Sequence, residues 1–162
     1  NLYIVQNTIQ LAHALGIAEP KVALMAAMDG PAPAFRSTTD AVALKAMAQQ
    51  GMFPGAQVDG PFAPDSALSE ELARGKGVTS PVAGNADVLI GPSMESALMV
   101  MRTLLVGGGL AAGLVLGARI PIVAPARDDS MEVRMASCVL ATLLASAHAA
   151  AAATARADAV AA

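Results

Sequence analysis

The spacing of apolar residues predicts a series of helices separated by short apolar runs. Helices are expected at residues 4–15, 36–50, 65–74, 93–106 and 130–149. Ser37, three residues before Asp40, predicts a capping box for the second helix, and Asp65 and Ser93 are expected to cap the third and fourth. On the last helix the residues expected to face inward are Met135, Val139, Leu143 and Leu144.

Short apolar runs between these helices predict strands at residues 21–28, 55–59, 86–90, 111–116 and 120–124. Strands that alternate with helices need crossover connections, and these produce a mostly parallel sheet covered by helices. The fold class is therefore α/β. Ligands of such sheets bind beyond the carboxyl ends of the strands. We expect a site in the loops that begin at Asp29, Asp59, Gly91, Gly117 and Ala124.

Charge and composition narrow the functional classes. The 162 residues carry 13 acidic and 10 basic side chains, and this net charge of −3 disfavours a nucleic-acid partner. The single cysteine, Cys138, excludes a disulfide scaffold and a cysteine-ligated zinc site, and we expect it to be a buried, inert thiol. His13 and His148 have no neighbour at ligand spacing, so no metal site is expected.

The uncharged and glycine-rich stretches of the chain do not indicate a membrane protein or a nucleotide-binding protein. Glycines interrupt residues 103–118, and residues 135–155 consist largely of alanine and serine, so we expect neither to cross a membrane. The glycine cluster at 107–113 precedes a predicted strand, whereas a dinucleotide fingerprint follows one. Gly75-Lys76-Gly77 lacks the spacing of a phosphate loop and predicts a helix stop with a solvated lysine.

The densest polar group is the run from Arg127 to Glu132, between the last apolar segment and the last helix. One interpretation is structural, with Asp129 and Glu132 capping the helix. The other is functional, with the guanidinium of Arg127 and the helix N-terminus binding an anion. The two conflict in part, because acids at this turn repel a phosphate unless they face another part of the ligand. The breaks at 59–61 and 80–87 are turns as bare patterns.

Three longer segments carry a resemblance. They are VDGPFAPDSALS at 58–69, SPVAGNADVLIGPSMESALMV at 80–100 and GLVLGARIPIVAPARDDS at 113–130. In this order they resemble the C-terminal half of the phosphate acetyltransferase and phosphate butyryltransferase family, and residues 4–25 are similar to the start of its second domain. The resemblance implies an acyltransferase that exchanges the acyl group of a short-chain acyl-CoA with phosphate, giving acyl phosphate and CoA.

The resemblance also implies an organisation. The fold would be like the second domain of isocitrate and isopropylmalate dehydrogenases, with a returning C-terminal helix. Residues 1–116 would form this second, cleft-forming domain, and residues 117–149 would belong to a first domain that this chain otherwise lacks. Residues 150–162 are expected to be a low-complexity tail. We expect a cytoplasmic homodimer that has CoA as substrate and needs no cofactor, metal, nucleic acid or membrane.

Site residues follow from the same resemblance. The family has a serine-arginine pair and an acidic base seven positions after that serine; here Arg127 matches, but Ala126 and Val133 occupy the other two positions. A further family arginine aligns with Leu104. The butyryl-type branch often reads Ser-Arg-Ala-Asp-Ser, which favours that branch or a divergent one. The resemblance implies Arg127, Asp129 and Ser130 as catalytic. The substrate-binding residues it implies are Asp128, Glu132, Asp59, Gly84, Asn85 and Gly117.

The departures at Ala126 and Val133, and the absence of a first domain, leave a second interpretation open. The chain would then be an inactive or non-catalytic domain of the same fold, kept for binding or oligomerisation.

Overall fold

The computed structural model describes the backbone of residues 2–161 and their side chains apart from those of 155, 158, 160 and 161. The chain forms two compact units, Asn1–Leu104 and Leu105–Ala162. The assignment of residues 117–149 to a different domain stays a prediction.

A parallel sheet forms the centre of the first unit. Its strands are β1 (Lys21–Met25), β2 (Gln57–Phe62) and β3 (Val88–Ile90), in the order β2-β1-β3. Both neighbours run parallel to β1, and Val22 pairs with Val58 on one side and with Val88 on the other. The α/β class is confirmed.

Helices cover both faces of this sheet. They are α1 (Leu2–Ala14), α2 (Arg36–Gln49), α3 (Pro64–Leu68), α4 (Glu70–Gly75) and α5 (Met94–Val106). Along β1, Val22 and Leu24 belong to one apolar core with residues of α1 and α2, whereas Ala23 and Met25 belong to a second core with residues of α3 and α4. Alternate residues of a strand face opposite sides, so β1 is buried on both faces, which explains why no charged residue follows Lys21 in it.

The strand β2 is longer at its end than predicted, because it continues through Asp59-Gly60-Pro61 to Phe62. Phe62 still pairs with Met25 after an irregularity in the register. Gly60 allows this, since a Cβ here would lie 2.5 Å from the carbonyl oxygen of Leu24. In the opposite direction, β1 ends at Met25, and residues 26–28 are not part of the strand.

Two helix starts differ from the prediction. Phe35, not Ser37, is the N-cap of α2, and it makes no side-chain cap; the buried hydroxyl of Thr38 donates to the carbonyl of Phe35 over 2.8 Å. The helix predicted from Asp65 is two short helices, because Ser69 interrupts it and accepts a hydrogen bond from Leu72 N–H. Ser93 caps α5 as predicted, accepting from Ser96 N–H.

The described residues of the second unit include a long helix but no strand. The runs at 111–116 and 120–124 form only an isolated antiparallel bridge between Val115 and Ile122, so the fourth and fifth predicted strands are wrong. A strand needs a neighbour to satisfy its backbone groups, and one short bridge does not provide it.

The helix of this unit, α6 (Met131–Ala161), continues through the stretch predicted as a tail. Alanine has the highest helix propensity of any residue, which explains the continuation. Leu144 is buried at 4% exposure, as predicted, but the other three residues expected inside are between 47% and 61% exposed. Cys138 is exposed as well, so its predicted burial is wrong.

One segment of α6, Met131–Thr154, is long and apolar enough to cross a membrane by length and composition, and 11% of its most apolar window is buried. The core helices of soluble proteins and signal sequences can have the same length and apolar composition, so these two properties alone do not assign a membrane span.

Candidate functional site

The polar turn before α6 and the first turn of that helix hold five of the predicted site residues, at 127–130 and 132. Ser130 caps the helix, because its Oγ accepts a hydrogen bond from Val133 N–H over 3.3 Å. Asp129 does not take that role. Its Oδ2 accepts from the backbone N–H of Ala126 over 2.7 Å and so closes the turn itself. The prediction that Asp129 and Glu132 form a capping box is therefore wrong, and Ser130 caps α6.

Arg134, in the first turn of α6, binds the same turn through its side chain. Its Nε donates to the carbonyl of Asp129 over 3.1 Å. Its Nη2 donates to the carbonyls of Arg127, over 3.1 Å, and Ala126, over 3.4 Å. Sequence reasoning missed Arg134. The available signal was an arginine one helical turn after the predicted cap.

Arg127 is exposed, and among the described residues its guanidinium has neither a hydrogen-bond nor an ion-pair partner. Asp128 and Glu132 are exposed as well, whereas Asp129 is half-buried. The turn thus presents the guanidinium of Arg127, which has no partner among the described residues, directly before the N-terminus of a long helix. Both features attract an anion.

Gly117 belongs to the same unit and has a φ of +91°, a left-handed conformation that favours glycine. Gly117 lies in the turn between Val115 and Ile122, which form the isolated bridge. The structure offers no side-chain chemistry at this position, so its predicted part in substrate binding stays a prediction.

The other predicted site residues lie in the first unit, where Asp59 is the centre of a polar network. Its carboxylate forms an ion pair with Lys45 and accepts a hydrogen bond from Ser80 Oγ over 2.6 Å. The backbone N–H of Gly60 donates to the same carboxylate over 2.8 Å. Lys45, Asp59 and Ser80 line an open cleft of about 390 Å³ between α2 and the end of β2. Sequence reasoning found Asp59 but neither of its side-chain partners.

Opposing effects determine the pKa of Asp59. Burial raises it, but the hydrogen bonds from Lys45, Ser80 and the Gly60 N–H, with the charge of Lys45, outweigh burial and leave the pKa below its ordinary value of 3.8. The carboxylate is therefore held in its charged form, which suits an anchor better than a base.

A second network surrounds Lys76, which we predicted to be solvated. The side chain is exposed, but its ammonium contacts Asp65 Oδ2 over 2.6 Å and Asp29 Oδ2 over 3.2 Å. The hydrogen bond to Asp65 raises the pKa of Lys76 and lowers the pKa of Asp65. Asp29 also accepts from Ser66 Oγ over 2.9 Å. The network thus ties the end of β1 to α3 and α4.

Gly84 and Asn85 shape a loop of the first unit. The N–H of Gly84 donates to the carbonyl of Ser66 over 2.8 Å, and a Cβ at Gly84 would lie 2.2 Å from the backbone nitrogen of Glu70. Asn85 is exposed, and its side-chain amide donates to the carbonyl of Ala83 over 3.4 Å. Both residues have local structural roles in the described chain, and their contact with a substrate stays a prediction.

The structure thus groups the predicted residues in two sets. Five of them lie in the turn before α6 and in the first turn of that helix, and Gly117 lies in the same unit. Asp59, Gly84 and Asn85 belong to the other unit. Among the side chains that the structure describes, no group of three from His, Cys, Asp or Glu is arranged to hold a metal ion. His13 lies on the surface of α1, with its Nε2 3.1 Å from the carbonyl of Gly55.

The network of Asp59 makes stability sensitive to acid. Because its pKa is lowered by folding, the carboxylate stabilises the fold above its ordinary pKa of 3.8, and this contribution is lost as the pH falls through the lower folded value. We expect Asp59→Asn to lower the free energy of unfolding at pH 7 by about 1 to 3 kcal/mol, since Lys45 loses its partner.

Urea unfolding at pH 7 and pH 3 measures this effect. The loss should be smaller at pH 3, where the wild-type carboxylate is itself partly protonated in the unfolded chain. Asp40→Asn is the matched control, because Asp40 makes only an exposed ion pair with Arg36 at 3.6 Å. Equal losses for the two variants at pH 7 would contradict the prediction.

Comparison with known proteins decides the family. Residues 2–142 match the family described as "Phosphate acetyl/butaryl transferase". The chain belongs to this family. The phosphate acetyl/butaryl transferase match includes both the Asp59 network and the whole turn from Arg127 to Arg134.

Relatives of both acyl types resemble the chain. It is 46% identical over 143 residues to a phosphate acetyltransferase of Rhizobium meliloti, covering 88% of this chain and 45% of the relative. It is 43% identical over 143 residues to a phosphate butyryltransferase of Clostridium acetobutylicum, covering 88% of this chain and 48% of the relative. The chain therefore spans about half the length of the curated relatives it matches.

A solved structure supports the fold. A branched-chain phosphotransacylase from Enterococcus faecalis V583 aligns with a TM-score of 0.80 at 30% identity, over 88% of this chain and 51% of that one. The fold of this phosphate acetyl/butaryl transferase family member is thus shared with a phosphotransacylase.

Proposed function

We propose that the protein containing this chain exchanges the acyl group of a short-chain acyl-CoA with inorganic phosphate, giving acyl phosphate and free CoA. The observation that carries the proposal is the family match over residues 2–142. The names of the relatives, phosphate acetyltransferase and phosphate butyryltransferase, support it.

The chemistry requires a phosphate dianion to be held against an electrophilic carbonyl. A phosphate oxygen attacks the thioester carbon, the carbonyl oxygen becomes an oxyanion, and the C–S bond then breaks to release CoA. Arg127 suits the first task, because a guanidinium binds two phosphate oxygens at once and this one has no partner among the described residues. Catalysis then depends on positioning the two substrates.

A carboxylate is needed for the proton of the CoA thiol. Asp129 uses Oδ2 to accept from Ala126 N–H, so its second oxygen is left for this task. Glu132 lies in the first turn of α6 and is exposed. In the direction that releases CoA, the protonated acid gives its proton to the departing thiolate; in reverse, the carboxylate accepts it. We assign this role to Asp129, with Glu132 as the alternative.

The complete site needs more chain than these residues. The chain spans about half of its curated relatives, and α6 carries an open apolar groove of about 450 Å³ that Met135, Val139 and Leu143 help to line. We place the contact with the family's first domain at this groove, since apolar side chains at half exposure favour burial.

The remaining assignments rest on the sequence. We propose a cytoplasmic homodimer that uses CoA as substrate without a resident cofactor. The match of Asp129 and Ser130 to the butyryl-type pattern supports butyryl-CoA as the preferred substrate. A non-catalytic role is favoured by two residues, Ala126 and Val133, that replace the family's serine and base.

Release of free CoA tests the proposal. The chain and a form extended at its N-terminus to the length of its relatives are mixed with acetyl-CoA or butyryl-CoA, and a thiol-reactive dye follows CoA after phosphate is added. We expect phosphate-dependent release by the extended form, faster with butyryl-CoA. An extended form that folds and is silent with every short acyl-CoA would leave the non-catalytic role as the explanation.

A further inference from the structure

The side chain of Arg134 is the most extensively bonded group of the turn before α6. Its guanidinium reaches three backbone carbonyls, those of Ala126, Arg127 and Asp129, at 3.4, 3.1 and 3.1 Å. A guanidinium is a planar fork of fixed donors, so these bonds constrain the carbonyls relative to one another. One of them belongs to Arg127 itself.

The same turn is closed from the other side by Asp129, whose carboxylate accepts from Ala126 N–H over 2.7 Å. Ala126 is therefore held at both of its polar backbone groups, the N–H by Asp129 and the carbonyl by Arg134. Arg127 follows directly in the chain. Its backbone is thus fixed while its own guanidinium makes no bond to any described residue.

Electrostatics adds a second effect. The run from Arg127 to Arg134 contains three acids, Asp128, Asp129 and Glu132, against these two arginines. Without Arg134, three carbonyl oxygens beside Arg127 would lose a cationic donor and could draw the guanidinium of Arg127 toward the turn. Arg134 satisfies them, so that Arg127 stays available to a ligand.

We propose that Arg134 is a positioning residue, which holds the turn so that Arg127 presents its guanidinium to phosphate. This rests on the proposed function for the identity of the ligand. Arg134 acts through Arg127 and does not itself touch the substrate.

Kinetics of the N-terminally extended protein test the proposal with three variants. Arg134→Met removes the fork, Arg134→Lys keeps the charge without the planar fork, and Arg156→Met removes an exposed arginine from the same helix. We expect R134M to raise the KM for phosphate about tenfold to a hundredfold, with the KM for acyl-CoA little changed. R134K should fall between R134M and wild type, and R156M should match wild type.

Several outcomes would overturn the positioning role. They are a phosphate KM in R134M equal to that in R156M, a loss that follows the melting temperature alone, and full recovery in R134K, which would show that charge alone matters. A further measurement does not depend on turnover. Hydrogen exchange at the Ala126 and Asp129 amides should quicken in R134M, and NMR titration with inorganic phosphate should need more phosphate than in wild type.

The titration separates this proposal from the proposed function. If no acyl-CoA is turned over but phosphate binding depends on Arg134, the acyltransferase assignment fails and the positioning role stands. If CoA is released normally and phosphate binds R134M as tightly as wild type, only the positioning role fails. A wild-type protein that neither reacts nor binds phosphate overturns both.

Discussion

Gly84→Ala is expected to destabilise the first unit by about 2 to 5 kcal/mol, because two costs add. The residue has a φ of +74°, which costs an L-residue with a side chain about 1 to 2 kcal/mol. Its Cβ would also lie 2.2 Å from the nitrogen and 2.3 Å from the Cα of Glu70. These are backbone atoms at the start of α4, so no side-chain rotation relieves the clash.

A matched control isolates the second cost. Gly77 has almost the same φ, +73°, but nothing lies within 4 Å of a Cβ built on it. Gly77→Ala should therefore show the conformational cost alone, about 1 to 2 kcal/mol. Chemical denaturation of both variants measures the difference. Equal losses would mean that the approach of Gly84 to Glu70 is not tight in solution.

Arg127→Ala is expected to raise the KM for phosphate about a hundredfold in the extended protein, while the melting temperature changes little. Each charge-assisted hydrogen bond contributes about 1.5 to 3 kcal/mol, so losing a bidentate pair weakens phosphate binding about a hundredfold or more. Stability is spared because the Arg127 side chain has no partner among the described residues. Phosphate titrations at saturating acyl-CoA, with a thermal melt of each variant, measure the two effects.

Arg119→Ala is the control for this experiment, since Arg119 is also exposed and lies in the same unit. A fall in melting temperature as large for Arg127→Ala as for a core variant would favour a structural role of the arginine. An unchanged phosphate KM would remove Arg127 from the site.

Local patterns predicted most elements of the first unit, because apolar periodicity and turn residues are properties of the sequence itself. The run that is uncharged after Lys21 predicted a strand buried on both faces, and β1 is such a strand. Gly16 and Gly51 follow the last residues of α1 and α2 by two positions, and both have the positive φ that is typical of a glycine at a helix end. Long-range pairing was harder to predict: β2 continues past the Asp59-Gly60-Pro61 turn signal because β1 lies beside it.

The site was predicted in part, for a related reason. Arg127, Asp129 and Ser130 are adjacent in sequence, so their gathering in one turn needed no tertiary information. The partners of Asp59 are Lys45 and Ser80, which are 14 and 21 residues away along the chain. No periodic pattern connects them. The packing of α2 against β2 brings Lys45 to Asp59, and the connection between α4 and β3 brings Ser80 to it.

The sequence by itself determined the α/β class, the parallel sheet and the family, because apolar periodicity and linked motifs are local properties of the chain. Tertiary structure decided which residue caps α6, which side chains hold Asp59, and that the apolar runs after residue 110 form a bridge and not two strands. The physical reason is the same in each case. A hydrogen bond or a strand pairing needs a partner at the right distance, and that distance exists only in the folded chain.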